Sequence, residues 1–166
     1  MVRTPPDSAV TLGDMTDVSP SAPPQPAAGR IPELNWADAH RASIQMRYSD
    51  IDTNHHVNNG RYGEYLENAR IMLMRDVGLW GAGERTVLAR MELDYVQEIR
   101  AGQELMVESL IERMGRTSWT VVARILADGV PCAFSRAVLV RVNPDHQPQP
   151  LPDWVREALA PLMVRL

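Results

Sequence analysis

The sequence predicts an α+β layered domain built from one strand, one long helix and four further strands. Three observations predict it: period-two alternation just before residue 48, a single long apolar stripe of helical period beginning at Tyr62, and four more alternating runs joined by short Gly-bearing turns. The chain has 166 residues, 45% hydrophobic and 23% charged, which suits one domain with a real core.

Residues 1 to about 35 hold seven of the 13 prolines (Pro5, Pro6, Pro20, Pro23, Pro24, Pro26 and Pro32) and almost no large apolar side chains. Such a segment cannot offset the entropy of ordering, so it reads as a disordered tail, with the folded domain at 36–166. It has no basic start followed by an apolar stretch, and Asp7, Asp14 and Asp17 are unlike an acid-poor transit peptide. Next, Ile44, Met46 and Tyr48 alternate with Ser43, Gln45 and Arg47, the pattern of a half-buried strand.

The period then changes. Tyr62, Tyr65, Leu66, Ala69, Met72, Leu73 and Val77 form one stripe on a helix of roughly 58–77, with Asn58 or Asn59 as cap and Gly78 as a left-handed stop. Beyond it, Val87, Ala89, Met91, Leu93 and Tyr95 alternate with Arg90, Glu92 and Asp94. The run Leu105, Val107, Ser109, Ile111 follows, and then Trp119, Val121, Ala123, Ile125, Ala127. Asp128-Gly129 is a hairpin turn into a last strand at about 131–142. A Pro-rich patch, Asn143 to Pro152, leads to a short amphipathic segment, Trp154 to Leu162.

Composition narrows the function. Seventeen basic against 21 acidic residues give a net charge of −4, and no stretch concentrates the basic ones, which argues against a nucleic-acid or anionic-membrane surface. No run of eighteen apolar residues is present. The single cysteine, Cys132, cannot form an internal disulfide and reads as a small buried hydrophobe in a reducing, cytoplasmic setting.

One segment is far denser in polar functional groups than the rest: Arg47-Tyr48-Ser49-Asp50-Ile51-Asp52-Thr53-Asn54-His55-His56-Val57-Asn58-Asn59-Gly60. It leads into the N-terminus of the long helix, where unpaired amides and the positive dipole end suit a developing oxyanion. Asp50 and Asp52 are also ordinary turn or capping residues in that context. The adjacent pair His55-His56 lacks a metal-ligand spacing, and no metal is expected.

The run from Asp50 to Asn59, followed by Tyr62, Tyr65, Glu67, Ala69 and Arg70, resembles the signature of hot-dog-fold acyl thioesterases. The nearest groups are the 4-hydroxybenzoyl-CoA thioesterase-like acyl-CoA hydrolases, with similarity to acyl-ACP thioesterases. The likeness extends over about 40–160 through the strand order, Tyr95, the turn Gly115-Arg116-Thr117-Ser118 and Leu151-Pro152. It implies a hot-dog fold, a long central helix wrapped by a curved antiparallel five-stranded sheet in the order β-α-β-β-β-β.

It also implies hydrolysis of acyl-CoA or acyl-ACP thioesters without a cofactor, in a homodimer or homotetramer. Asp52 matches the family's nucleophile or general base, and Asn54 and His56 match the Asn and His assigned to catalysis in the acyl-ACP relatives. The backbone N–H near Asn59 matches the oxyanion donor. Asn58, His55, Glu67, Arg116 and Ser118 are further candidates for contact with the substrate, Glu67 reading also as a buried partner for the loop and Glu64 as a solvated residue. The resemblance departs at His55, where many CoA-acting members carry Gly, so that a Cβ narrows the approach or adds an imidazole. Two other functions fit the fold: hydration of an unsaturated acyl-CoA, and acyl-thioester binding without turnover.

Overall fold

The structure, a computed structural model, describes residues 33–81 and 83–165. Most of the expected tail therefore lies outside the described residues. The elements run β1 (His40–Ile44), a 3-10 turn (Tyr48–Asp50), α1 (Asn59–Asp76), β2 (Arg85–Tyr95), β3 (Leu105–Met114), β4 (Ser118–Ala127), β5 (Val130–Val142) and α2 (Asp153–Leu159). The strands form one antiparallel five-stranded sheet in the order β1-β3-β4-β5-β2.

Helix α1 forms where its apolar stripe predicts. The Asn58 side chain accepts a hydrogen bond from the Gly60 amide at 2.9 Å, and Gly78, at φ +79°, ends the helix. Tyr62, Tyr65, Leu66 and Ala69 pack on Ala42, Ile44, Val107, Ile125 and Ala133 of the sheet. Further along, Leu73 joins Ile111, Trp119 and Leu139, with Val155 and Leu159 of α2 closing that end of the core. Asp128 at φ +49° and Gly129 at φ +78° are both left-handed, as a two-residue hairpin turn between right-twisted strands requires.

The other face of the sheet is covered as well. Ala39, Leu110 and Val122 are buried there beneath Leu34, Trp36 and Val164. On the same side the buried Glu108 accepts from Arg41 at 2.9 Å and from Arg124 at 2.7 Å, and the Arg124 guanidinium stacks 4.6 Å over the Trp36 ring. Leu34 lies within the segment expected to be tail, and its packing here joins that short stretch to the domain.

Two expectations from the pattern are corrected. The alternation Ile44, Met46, Tyr48 outlasts its strand: β1 ends at Ile44, and Tyr48 is 98% exposed in the 3-10 turn. Asp50 is fully buried by hydrogen bonds to Arg47 and Tyr65, and turning it inward turns Tyr48 outward. In β2, Leu88 pairs with Leu139 and Arg90 with Val138, so Ala89 is the extra residue of a β-bulge. The bulge shifts the phase and places Leu88, rather than Val87, on the face of Met91, Leu93 and Tyr95.

Trp36→Ala is expected to cost about 2 kcal/mol through lost burial and the lost cation–π contact. Urea unfolding of the full chain, with an unchanged slope, is the measurement.

Candidate active site

The loop between β1 and α1 is fixed on three sides. Internally, Ile51 and Val57 form an antiparallel bridge, and the Asp52 amide donates to the His56 carbonyl at 2.8 Å. Towards the start of β3, the Val57 amide donates to the Ile99 carbonyl at 2.8 Å, and His56 bridges Arg100. Towards the helix, the Asn58 amide donates to the Asp50 carbonyl at 2.8 Å. An irregular segment with this many satisfied backbone groups is rigid enough to aim a side chain.

Asp52 is aimed by its own loop. Its Oδ1 accepts from the amides of Asn54 at 2.8 Å and His56 at 3.2 Å, as in an Asx turn. Among the described residues nothing donates to Oδ2, and the side chain is half-buried. One oxygen is thus anchored and the other is open among the described residues.

The helix start supplies the complementary group. Because Asn58 caps the Gly60 amide and the Arg61 amide donates to the Asn58 carbonyl, the Asn59 amide is open among the described residues. The Asn59 carbonyl accepts from the Tyr95 hydroxyl at 3.1 Å, and Tyr95 meets the Tyr62 ring edge-on at 5.0 Å. Burial pushes the Tyr62 hydroxyl up to about 12, so Tyr62 stays neutral beside the helix terminus.

The other candidates divide into near and far. The His56 amide donates to Asp52 at 3.2 Å, and its ring pairs with Glu98 at 3.2 Å. Asn54 is exposed, and no hydrogen bond among the described residues fixes its carboxamide. His55 is exposed at φ +62°, in the left-handed region. The conformation explains why glycine suits this position: the backbone needs φ above zero, which a side chain resists whatever space surrounds it.

Glu67 and Glu64 exchange the roles expected of them. Glu64 is half-buried and ties the loop down, accepting from Arg47 at 2.7 Å and from Arg61. Glu67 is exposed and lines a groove of about 810 Å³ with Arg70, Ile71, Met74, Val87 and Leu88. Glu64 stands one turn after Arg61 on the side of α1 facing Arg47, whereas Glu67 follows the open face running from Asn59 through Gly63. Arg116 and Ser118 are not brought to this loop within one chain. They sit beyond the far end of β3, whose ten residues span about 30 Å.

Asp50, expected as a turn or capping residue, does cap the 3-10 turn and also forms the buried group beneath the loop. The buried Asp50 carboxylate accepts from the Arg47 amide at 2.9 Å, Arg47 Nε at 3.1 Å and the Tyr65 hydroxyl at 2.8 Å, with Arg61 Nε at 3.6 Å. Burial works against its charge, but these donors outweigh burial and hold its carboxyl below the usual carboxylate range. The spacings Arg47–Asp50 and Arg61–Glu64 were a usable signal. The docking of Ile99 to Ala101 on the loop had none, because that contact is distant in sequence.

Residues 46–159 match the thioesterase-like superfamily. The chain belongs to that family. It is 34% identical to a protein from Bacillus stearothermophilus described as a predicted thioesterase, with a TM-score of 0.70 over 75% of this chain and 96% of that one. It is 32% identical to a Thermus thermophilus thioesterase crystallised with coenzyme A and Zn, at a TM-score of 0.68 over 75% and 93% of the two chains. A Bacillus subtilis (strain 168) relative, the uncharacterized protein YsmA, is 26% identical over 60% of this chain and 70% of its own length. The helix laid on a five-stranded antiparallel sheet is accordingly that of a hot-dog thioesterase-like domain. Among the described residues no helix is long and apolar enough to cross a membrane.

The backbone at His55 gives a direct test. His55→Val should lower stability by about 1–2 kcal/mol, because a β-branched side chain is least suited to the left-handed region. His55→Gly should stay within about 1 kcal/mol of the parent, relief of strain offsetting the added freedom of the unfolded chain. Denaturant midpoints of the two variants check both.

Proposed function

We propose that this protein hydrolyses acyl thioesters of coenzyme A or of an acyl carrier to the free acid and thiol. The observation that carries the reading is the Asp52 carboxylate, held through Oδ1 by two loop amides with Oδ2 open, on the loop that ends at the open Asn59 amide. Family membership supports thioester hydrolysis as the reaction class, and the coenzyme A in the Thermus thermophilus structure supports that carrier.

In this mechanism the thioester carbonyl oxygen turns towards the start of α1. Asp52 Oδ2 takes a proton from water as the water oxygen attacks the carbonyl carbon, and the negative charge moves onto the oxygen facing the Asn59 amide. Collapse of that centre breaks the C–S bond and releases the thiolate, which recovers the proton. Direct attack by Oδ2 would give a mixed anhydride that water then opens, with the same products. A single well-placed donor to the oxyanion contributes about 3–4 kcal/mol of barrier lowering. The apolar groove beside Glu67 and Arg70, reached along the helix face through Gly63, receives the acyl group. No cofactor or metal takes part in this scheme, because a thiolate is already a good leaving group.

The same reading takes the chain to be a homo-oligomer. Strand β2 ends the sheet, is 11 residues long and exposes Val87, Leu88, Met91 and Tyr95. A long apolar edge with one side unpaired is a template for another strand, and the equivalent edge of a second copy meets that need.

Thiol release is the readout. Across a panel of CoA and acyl-carrier thioesters, wild type should turn over one acyl class best, and Asp52→Asn and Asp52→Ala should lower kcat/KM by about 10²–10⁴-fold while remaining folded. Absence of release from every ester by folded wild type overturns hydrolysis in favour of binding. Leu88→Lys should shift the sedimenting species towards a single chain. An unchanged assembly would place the interface away from β2.

A further inference from the structure

Asp50 is the charged group for which the proposed chemistry has no use, and it is the most completely enclosed one near the loop. Its side chain is 0% exposed. A carboxylate in that position is costly unless every lone pair is met, and here the donors come from both ends of the loop. Arg47, just before the 3-10 turn, supplies its amide at 2.9 Å, and its Nη2 lies 3.0 Å from Oδ1. Tyr65, in the second turn of α1, supplies its hydroxyl at 2.8 Å. Arg61 Nε approaches to 3.6 Å, and Glu64 links Arg47 to Arg61. Through its backbone Asp50 also accepts the Asn58 amide at 2.8 Å, and Asn58 is the residue that caps α1.

We infer that Asp50 is a positioning residue for the reaction: it fixes the distance between the Asp52 carboxylate and the open amide at the start of α1. The inference rests on the thioesterase reading above and adds to it a residue that does not touch substrate. Asp52 is two residues after Asp50, and Asn59 follows the cap that Asp50 holds. Both reacting partners are therefore referred to one buried anion, and a displacement of about 1 Å between them is worth as much as 10²-fold in rate. Both carboxylate oxygens of Asp50 lie among hydrogen-bond donors and Arg side chains. Replacing one with an amide nitrogen sets donor against donor and forces the turn to shift, whereas the substrate-binding groove is built from other residues.

The test compares Asp50→Asn, Tyr65→Phe, Asp52→Asn and Trp36→Ala in the full chain, at a temperature where each is folded by circular dichroism. Asp50→Asn should lower kcat by about tenfold to a hundredfold with KM within about threefold of wild type. Tyr65→Phe keeps the ring in the core and removes only the hydroxyl, and it should lower kcat several-fold. The double variant Asp50→Asn/Tyr65→Phe should be no slower than Asp50→Asn alone, because both act on one unit. Trp36→Ala, which loosens the opposite face of the sheet, should lose stability and keep wild-type kcat.

A wild-type kcat in folded Asp50→Asn beside an inactive Asp52→Asn overturns the positioning role and leaves the thioesterase reading standing. Full activity in Asp52→Asn overturns both. If Asp50→Asn does not fold, Tyr65→Phe decides: an unchanged kcat there overturns the role, and a drop in kcat at constant KM upholds it.

Discussion

Helix α1 carries one apolar stripe, and the inner face of the sheet is what covers it; the rest of the architecture follows from that burial. Tyr62, Tyr65, Leu66 and Ala69 are each 0–2% exposed against β1, β3, β4 and β5. Full burial of a large apolar side chain contributes about 1.5–3 kcal/mol, so this stripe is a main source of the domain's stability. Once the helix is laid down its direction is set, and its N-terminus must open where β1 hands over to the loop. The polar segment 47–58 therefore stands at an amide-rich helix end with a fixed sheet on one side.

The division of labour within that segment follows from burial. Asp50 and Asp52 are separated by a single residue, yet one is sealed among Arg47, Tyr65 and Arg61 while the other keeps an oxygen free. A carboxylate surrounded by fixed donors makes a good anchor and a poor base, because its charge is already satisfied. Its half-exposed neighbour Asp52 is braced by two amides on one oxygen alone. Two chemically identical side chains thus take different parts through solvation and partners.

Much of this could be read from the residues. The helical stripe, the Asn58 cap, the Gly78 stop and the Asp128-Gly129 turn are local features, and their spacing alone determines them. The polar density of 47–60 marks the loop that the structure ties to Ile99, Arg100 and the start of α1. What escaped the pattern depends on partners far away in sequence. Tyr48 continues an alternation but is expelled by the inward turn of Asp50, and Glu64 and Glu67 differ only in which neighbour each meets across space. The phase shift in β2 needs Leu88 and Arg90 to pair with adjacent residues of β5, which no alternation within β2 reveals. The left-handed backbone at His55 was visible only as an unexpected residue type; the structure supplies the conformational reason.

The way the loop is tethered also sets the order in which the molecule can assemble. Strands β3, β4 and β5 are consecutive hairpins, whereas β1 pairs with β3 across a gap in which Ile44 meets Leu105. Val57 and His56 reach their partners only through Ile99 and Arg100. During synthesis β1, the loop and α1 emerge first, but the surface that holds them does not yet exist. Contacts this distant carry a loop-closure cost that adjacent hairpins avoid. The loop at 47–58 is therefore among the last parts to lock, and a partly folded chain has its meander in place before that loop is held.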